Sequence, residues 1–104
     1  MIDEELAYEL KIAGFPQPEM LIGQIWYDGS LPFIIQDYFW HIFSTKTFAP
    51  TLDDIAPLLP EGFAIEMWGG KPSCTNRDEA NPVLTFGDTF TEAAARMWLH
   101  YAQK

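Results

Sequence analysis

The chain reads as an α+β fold: an antiparallel sheet of four to five strands, N- and C-terminal helices packed on one face, and a short kinked middle helix. Three observations predict it. Helical periodicity is concentrated at the two ends of the sequence. Segments between them alternate with period two and are separated by turn residues. The 104 residues are 48% hydrophobic, and a chain of this size hides roughly 65% of its extended surface on folding. A single domain, 1–104, is therefore expected, with a core that needs no metal or disulfide.

The first helix is expected from about Asp3 to Ala13. Asp3 can cap it, and Glu4 and Glu5 sit at the positive end of its dipole. Ile2, Leu6, Leu10 and Ala13 share one face. Gly14 suits the left-handed position after the helix, which would fold Phe15 back on Leu10. Pro16 and Pro18 prevent continuation. From Leu21 to Phe48 the chain reads as extended, with Asp28-Gly29 as a hairpin turn and Pro32 at an edge or irregular position. Phe33–Phe43 has strand-type residues at a length that also suits a helix. We read it as two strands broken near Gln36-Asp37.

Thr51 and Asp54 stand at capping-box spacing and open the middle helix, which Pro57 must shorten or kink. Phe63, Ile65 and Met67 alternate with Ala64, Glu66 and Trp68 as a half-buried strand. Pro82–Phe86 reads as its partner. Between them, Gly69–Asn81 reads as a polar loop, long for a hairpin and more mobile than functional. The last helix is the clearest element. Thr89 and Glu92 form a capping box, and Phe90, Ala93, Ala94, Met97, Trp98 and Tyr101 make one apolar stripe.

Three short stretches carry a resemblance. Leu10-Lys11 with Ala13-Gly14-Phe15-Pro16-Gln17 is the first. Ala49-Pro50-Thr51-Leu52-Asp53-Asp54-Ile55 is the second. Gly87-Asp88-Thr89, followed by Glu92-Ala93-Ala94-Ala95-Arg96-Met97-Trp98-Leu99, is the third. Together they resemble small uncharacterised proteins encoded by phages and prophages of bacteria. The resemblance covers about a third of the chain and implies a phage-related origin and a compact mixed fold. It brings no assigned activity, so no catalytic residue is carried over. Residues 24 to 48 have no part in it.

Fifteen acidic residues against six basic ones give a net charge of −9. Nucleic-acid affinity rests on Lys and Arg contacts to phosphate, and an anionic membrane surface repels such a chain. Neither partner is expected, whereas a basic host or phage protein is compatible. The acidic start, Met1-Ile2-Asp3-Glu4-Glu5, reads as a helix opening and not as a secretory leader. Cys74 is the single cysteine, which fits a reducing, cytoplasmic setting.

The chemistry-bearing residues do not group. His41 and His100 are far apart in sequence, and no HxxxH, CxxC or calcium-loop spacing occurs, so no metal or cofactor is expected. Ser30, Ser44 and Ser73 lack the context of a nucleophile elbow. Cys74 sits near Arg77 in the presumed loop, a poor place to hold a triad in register. Asp53-Asp54 and Asp78-Glu79 are adjacent, so each pair diverges on a regular element. An enzymatic role is not favoured.

The unusual feature is aromatic density. Trp26, Tyr27, Phe33, Tyr38, Phe39, Trp40, Phe43 and Phe48 are half of the aromatics. If residues 38–41 form a strand, both of its sides are aromatic and a two-layer fold covers only one. Tyr8 and Ile12 on the first helix, and Leu99 on the last, point away from the expected cores. Tyr8, Ile12, Tyr38, Trp40 and Leu99 are thus the expected contacts of a non-catalytic, self-associating interaction domain, most simply a homodimer. Two alternatives stand beside it. One is an acidic inhibitor or nucleic-acid mimic that binds a basic host protein. The other is a small ligand-binding protein or hydrolase, with a pocket lined by His41, Asp37 or Glu66.

Overall fold

A computed structural model describes residues 1–19, 21–36, 46–76 and 82–103, and among these turn and cap chemistry set off three α-helices and six strands. These elements fall into two compact units, Ile2–Pro50 and Thr51–Lys104 with Met1.

In the Ile2–Pro50 unit, helix α1 spans Glu4–Ile12. The Asp3 carboxylate accepts from the Leu6 N–H at 2.8 Å, satisfying one of the orphan donors of the first turn. The helix closes as anticipated. Gly14 takes a φ of 94°, Phe15 donates to the Leu10 carbonyl and Gly14 to that of Lys11, the paired bonds of a Schellman ending. Leu10 and Phe15 are both buried.

Strands β1 (Ile25–Asp28), β2 (Leu31–Ile34) and β3 (Lys46–Phe48) form an antiparallel sheet in the order β2-β1-β3. Asp28 pairs with Leu31, so the hairpin turn is Gly29-Ser30, one residue later than the Asp28-Gly29 signal suggests. Gly29, at φ 59°, supplies the backbone such a turn needs. The central strand β1 is buried on both sides. Trp26 lies against Phe48, ring centres 5.3 Å apart. Tyr27 faces the other way and its hydroxyl donates to the Ile2 carbonyl at 2.7 Å. Helix α1 packs on β3. Gln17 links the same two regions: its Nε2 donates to the Phe15 carbonyl, and its Oε1 accepts from the Phe48 N–H.

The second unit opens with helix α2 (Leu52–Ile55), which passes into a 3₁₀ turn over Ala56–Leu58. Pro57 lies in that turn, so the shortening read from the sequence holds. Asp54 accepts from both the Thr51 N–H and its hydroxyl. Strands β4 (Phe63–Trp68), β5 (Lys71–Asn76) and β6 (Val83–Phe86) form the second antiparallel sheet, in chain order. Helix α3 (Phe90–Ala102) packs on β5 and β6, and α2 packs on α3.

Three expectations are corrected here. The strands make two three-stranded sheets and not one of four to five, and α1 and α3 pack on different sheets. The presumed loop after Trp68 contains β5, the centre of its sheet. Gly69 and Gly70 have φ of 59° and 82°, the two positive values of a primed hairpin turn, and so start a strand at once. Strand β6 accordingly pairs with β5, not with β4. Residues 37–45 and 77–81 lie outside the described residues, and with them the reading of two strands broken near Gln36-Asp37.

Helix α3 also buries more than one stripe. Ala93, Ala94 and Met97 are buried as its periodicity predicts, but so are Ala95 and Leu99, and Phe90 is exposed. A helix flanked by a sheet and by α2 has two faces to fill. The Thr89 hydroxyl accepts from the Glu92 N–H at 3.1 Å. The reciprocal arm departs from a capping box, since Glu92 accepts from the Asp88 N–H and from Arg96. Gly87 is required by proximity: a Cβ there would lie 2.7 Å from the Ala93 nitrogen.

Met97 is fully buried under α3. Met97→Ala should cost about 2–4 kcal/mol of stability, read as a lowered midpoint in urea unfolding with an unchanged slope.

Candidate functional site

The elements scatter the polar, chemistry-bearing residues and bring apolar ones to the surface. Tyr8 and Ile12 stand one helical turn apart on α1 and are exposed, at 54% and 69%. Exposed Glu5 and Glu9 accompany them. Leu99 is corrected: it is only 7% exposed and offers no outward contact, because α3 is packed on more than one side. Tyr38 and Trp40 lie outside the described residues, as do His41 and Asp37 of the ligand-pocket alternative. Glu66 is half-buried on β4.

Two further groups escaped the reading of the sequence. Leu31 and Ile34 are exposed on β2, and Met67 and Trp68 on β4, the last two at 56% and 58%. A signal was present in both. Leu31-Pro32-Phe33-Ile34 and Phe63-Ala64-Ile65-Glu66-Met67-Trp68 each place large apolar side chains on both faces of a strand. One buried face cannot account for that.

Cys74 occupies the middle of β5, opposite Ile65 on one side and Thr85 on the other. It is fully buried, and burial raises its thiol from the ordinary 9.0 to about 11. The thiolate is the nucleophile, so this sulfur is protonated and enclosed near neutral pH. The loop setting anticipated for it, beside Arg77, does not hold for Cys74 itself. Ser73, its neighbour, donates its hydroxyl to the Glu66 carbonyl at 2.6 Å and is likewise buried. His100 is exposed near the end of α3, edge-on to Tyr101 with ring centres 5.3 Å apart. Among the described residues no group of three or more His, Cys, Asp or Glu could hold a metal ion. Among them too, no helix is long and apolar enough to cross a membrane.

Two measurements test the placement of Cys74. A thiol reagent at pH 8 should leave the folded protein unmodified and react fully in denaturant. The raised thiol pKa also predicts an alkaline loss. The unfolded thiol ionises near 9.0 and the folded one near 11, so stability is intact below pH 9 and declines as pH rises toward 11. The loss is of the order of 2 kcal/mol, and Cys74→Ala should flatten that part of a melting-temperature profile.

Compared with protein-family models, with curated proteins and with solved structures, the chain matches none.

Proposed function

We propose that the chain is a non-catalytic, phage-type protein-interaction domain of the cytoplasm that associates with a second copy of itself. One observation carries this reading. Large apolar side chains stand exposed on regular elements: Tyr8 and Ile12 on α1, Leu31 and Ile34 on β2, Met67 and Trp68 on β4. A single exposed leucine needs no explanation, but apolar residues repeated along strands and a helix favour association. The phage character rests on the resemblance of the three short stretches.

The second reading is a basic host or phage protein as partner. The charge of −9 favours it, and so do Glu5 and Glu9 beside Tyr8 and Ile12. Salt separates the two. Copies that each carry −9 repel, and at 0.15 M ionic strength such repulsion is screened beyond about 8 Å. Self-association should therefore strengthen between low and physiological salt, whereas capture of a basic partner should weaken.

Light scattering behind size exclusion, from micromolar to several hundred micromolar protein, tests the proposal. A mass rising toward twice 11.9 kDa with concentration and with salt is the expected outcome. A constant 11.9 kDa species at every concentration and salt would remove self-association.

A further inference from the structure

Sheet edges leave half of their strand's backbone groups unpaired, and proteins blunt them with proline, charge or shortness. Among the described residues the two sheets have four edges, and three of them are blunted. Strand β2 holds Pro32, β3 spans three residues, and β6 spans four directly after Pro82. Strand β4 is six residues long, has no proline or lysine, and carries one charge, Glu66. Among the described residues, no strand pairs with its other side.

The direction of its outward groups follows from β5. Gly87 donates to the Pro72 carbonyl at 3.1 Å, so Pro72 directs its carbonyl toward β6. Backbone groups alternate along a strand, so Pro72, Cys74 and Asn76 face β6 while Lys71, Ser73 and Thr75 face β4. Their opposite residues on β4 are Trp68, Glu66 and Ala64. Phe63, Ile65 and Met67 therefore turn their N–H and C=O groups away from β5. The same alternation explains a proline in a central strand: the missing N–H of Pro72 would point past Phe86, the end of β6.

We propose that β4 is the dimer edge, paired antiparallel with β4 of a second copy about a two-fold axis at Ile65. This rests on the self-association reading above and names its surface. An axis perpendicular to the sheet keeps each face continuous, so residues of one face meet. Ile65 lies opposite Ile65 of the second copy, Met67 opposite Phe63, and Glu66 opposite Ala64. Every outward-facing residue of β4 then meets an outward-facing residue of the other copy.

Charge disfavours the neighbouring register. Centring the axis on Glu66 would set Glu66 against itself, and like charges directly opposite are destabilising. At Ile65 the only charge on the strand meets alanine. The area is modest. A pairing of two short strands buries well under the ~800 Å² per partner of a stable interface, so the dimer is weak and exchanges at micromolar concentration.

The test compares wild type with Ile65→Pro, using light scattering for mass and circular dichroism for folding. The Ile65 N–H points outward, so proline there removes no bond to β5. The wild type should dimerise and the folded variant should lose about tenfold or more in dimer affinity. In wild type, amide exchange at Phe63, Ile65 and Met67 should slow as concentration rises, a readout that decides the matter even if the variant unfolds. A folded Ile65→Pro protein that dimerises as tightly as wild type overturns the β4 edge and leaves self-association standing. So does amide protection that ignores concentration in a wild type that dimerises. A wild type that stays monomeric overturns both.

Discussion

A strand rich in polar residues can be buried only if every polar group it takes from water finds a partner, and β5 is where that constraint falls. Ser73, Thr75 and Asn76 are buried beside Cys74. An unpaired buried hydroxyl or amide costs roughly 1–3 kcal/mol. Ser73 bonds the Glu66 carbonyl on β4, and Asn76 donates to the Tyr101 hydroxyl on α3 at 2.7 Å. On the neighbouring strand, the Thr85 hydroxyl donates to the Ala93 carbonyl at 2.8 Å. Among the described residues no buried side-chain nitrogen or oxygen is left without a partner. These bonds have direction, so they set where α3 lies on its sheet more sharply than apolar packing does.

The first unit meets the same demand by different means. Its central strand is aromatic, and the polar tips of the aromatics reach backbone or amide partners. Trp26 donates to Gln24 at 3.0 Å, and Tyr27 to Ile2. Burial raises the Tyr27 phenol above its ordinary range, with Asp3 and Glu4 adding to the shift, so that hydroxyl remains a donor at neutral pH. Gln17 acts as a clasp between the segment after α1 and β3. It belongs to one of the stretches that carry the phage-type resemblance, and Gly14, Gly87 and Thr89 of those stretches also have structural duties.

A buried, protonated cysteine and dispersed carboxylates direct attention to the surface. There, apolar side chains and strand edges are the features with consequences. Net charge of one sign would oppose a pairing of two copies at long range, while the proposed edge pairing and apolar contact would favour it at short range. If the self-association proposed above takes place, those two terms would balance as a weak, salt-sensitive one.

Local chemistry made much of this protein legible in the residue order. Asp3, Gly14, Thr51, Pro57 and Thr89 act within a few positions of themselves, so the ends of α1, α2 and α3 could be read directly. The exposed Tyr8 and Ile12 followed from helical periodicity alone. What could not be read depends on distant segments. Whether strands join one sheet or two is decided by pairings across tens of residues. Leu99 is buried although it lies off the apolar stripe of α3, which the helix's own periodicity does not encode. The Gly69-Gly70 turn was written in the sequence, yet β5 was obscured because its polar side chains look solvent-loving until Tyr101 and Glu66 are brought to Asn76 and Ser73. Tertiary structure decided which strands lie at the sheet edges among the described residues, since an edge exists only once its neighbours have been chosen.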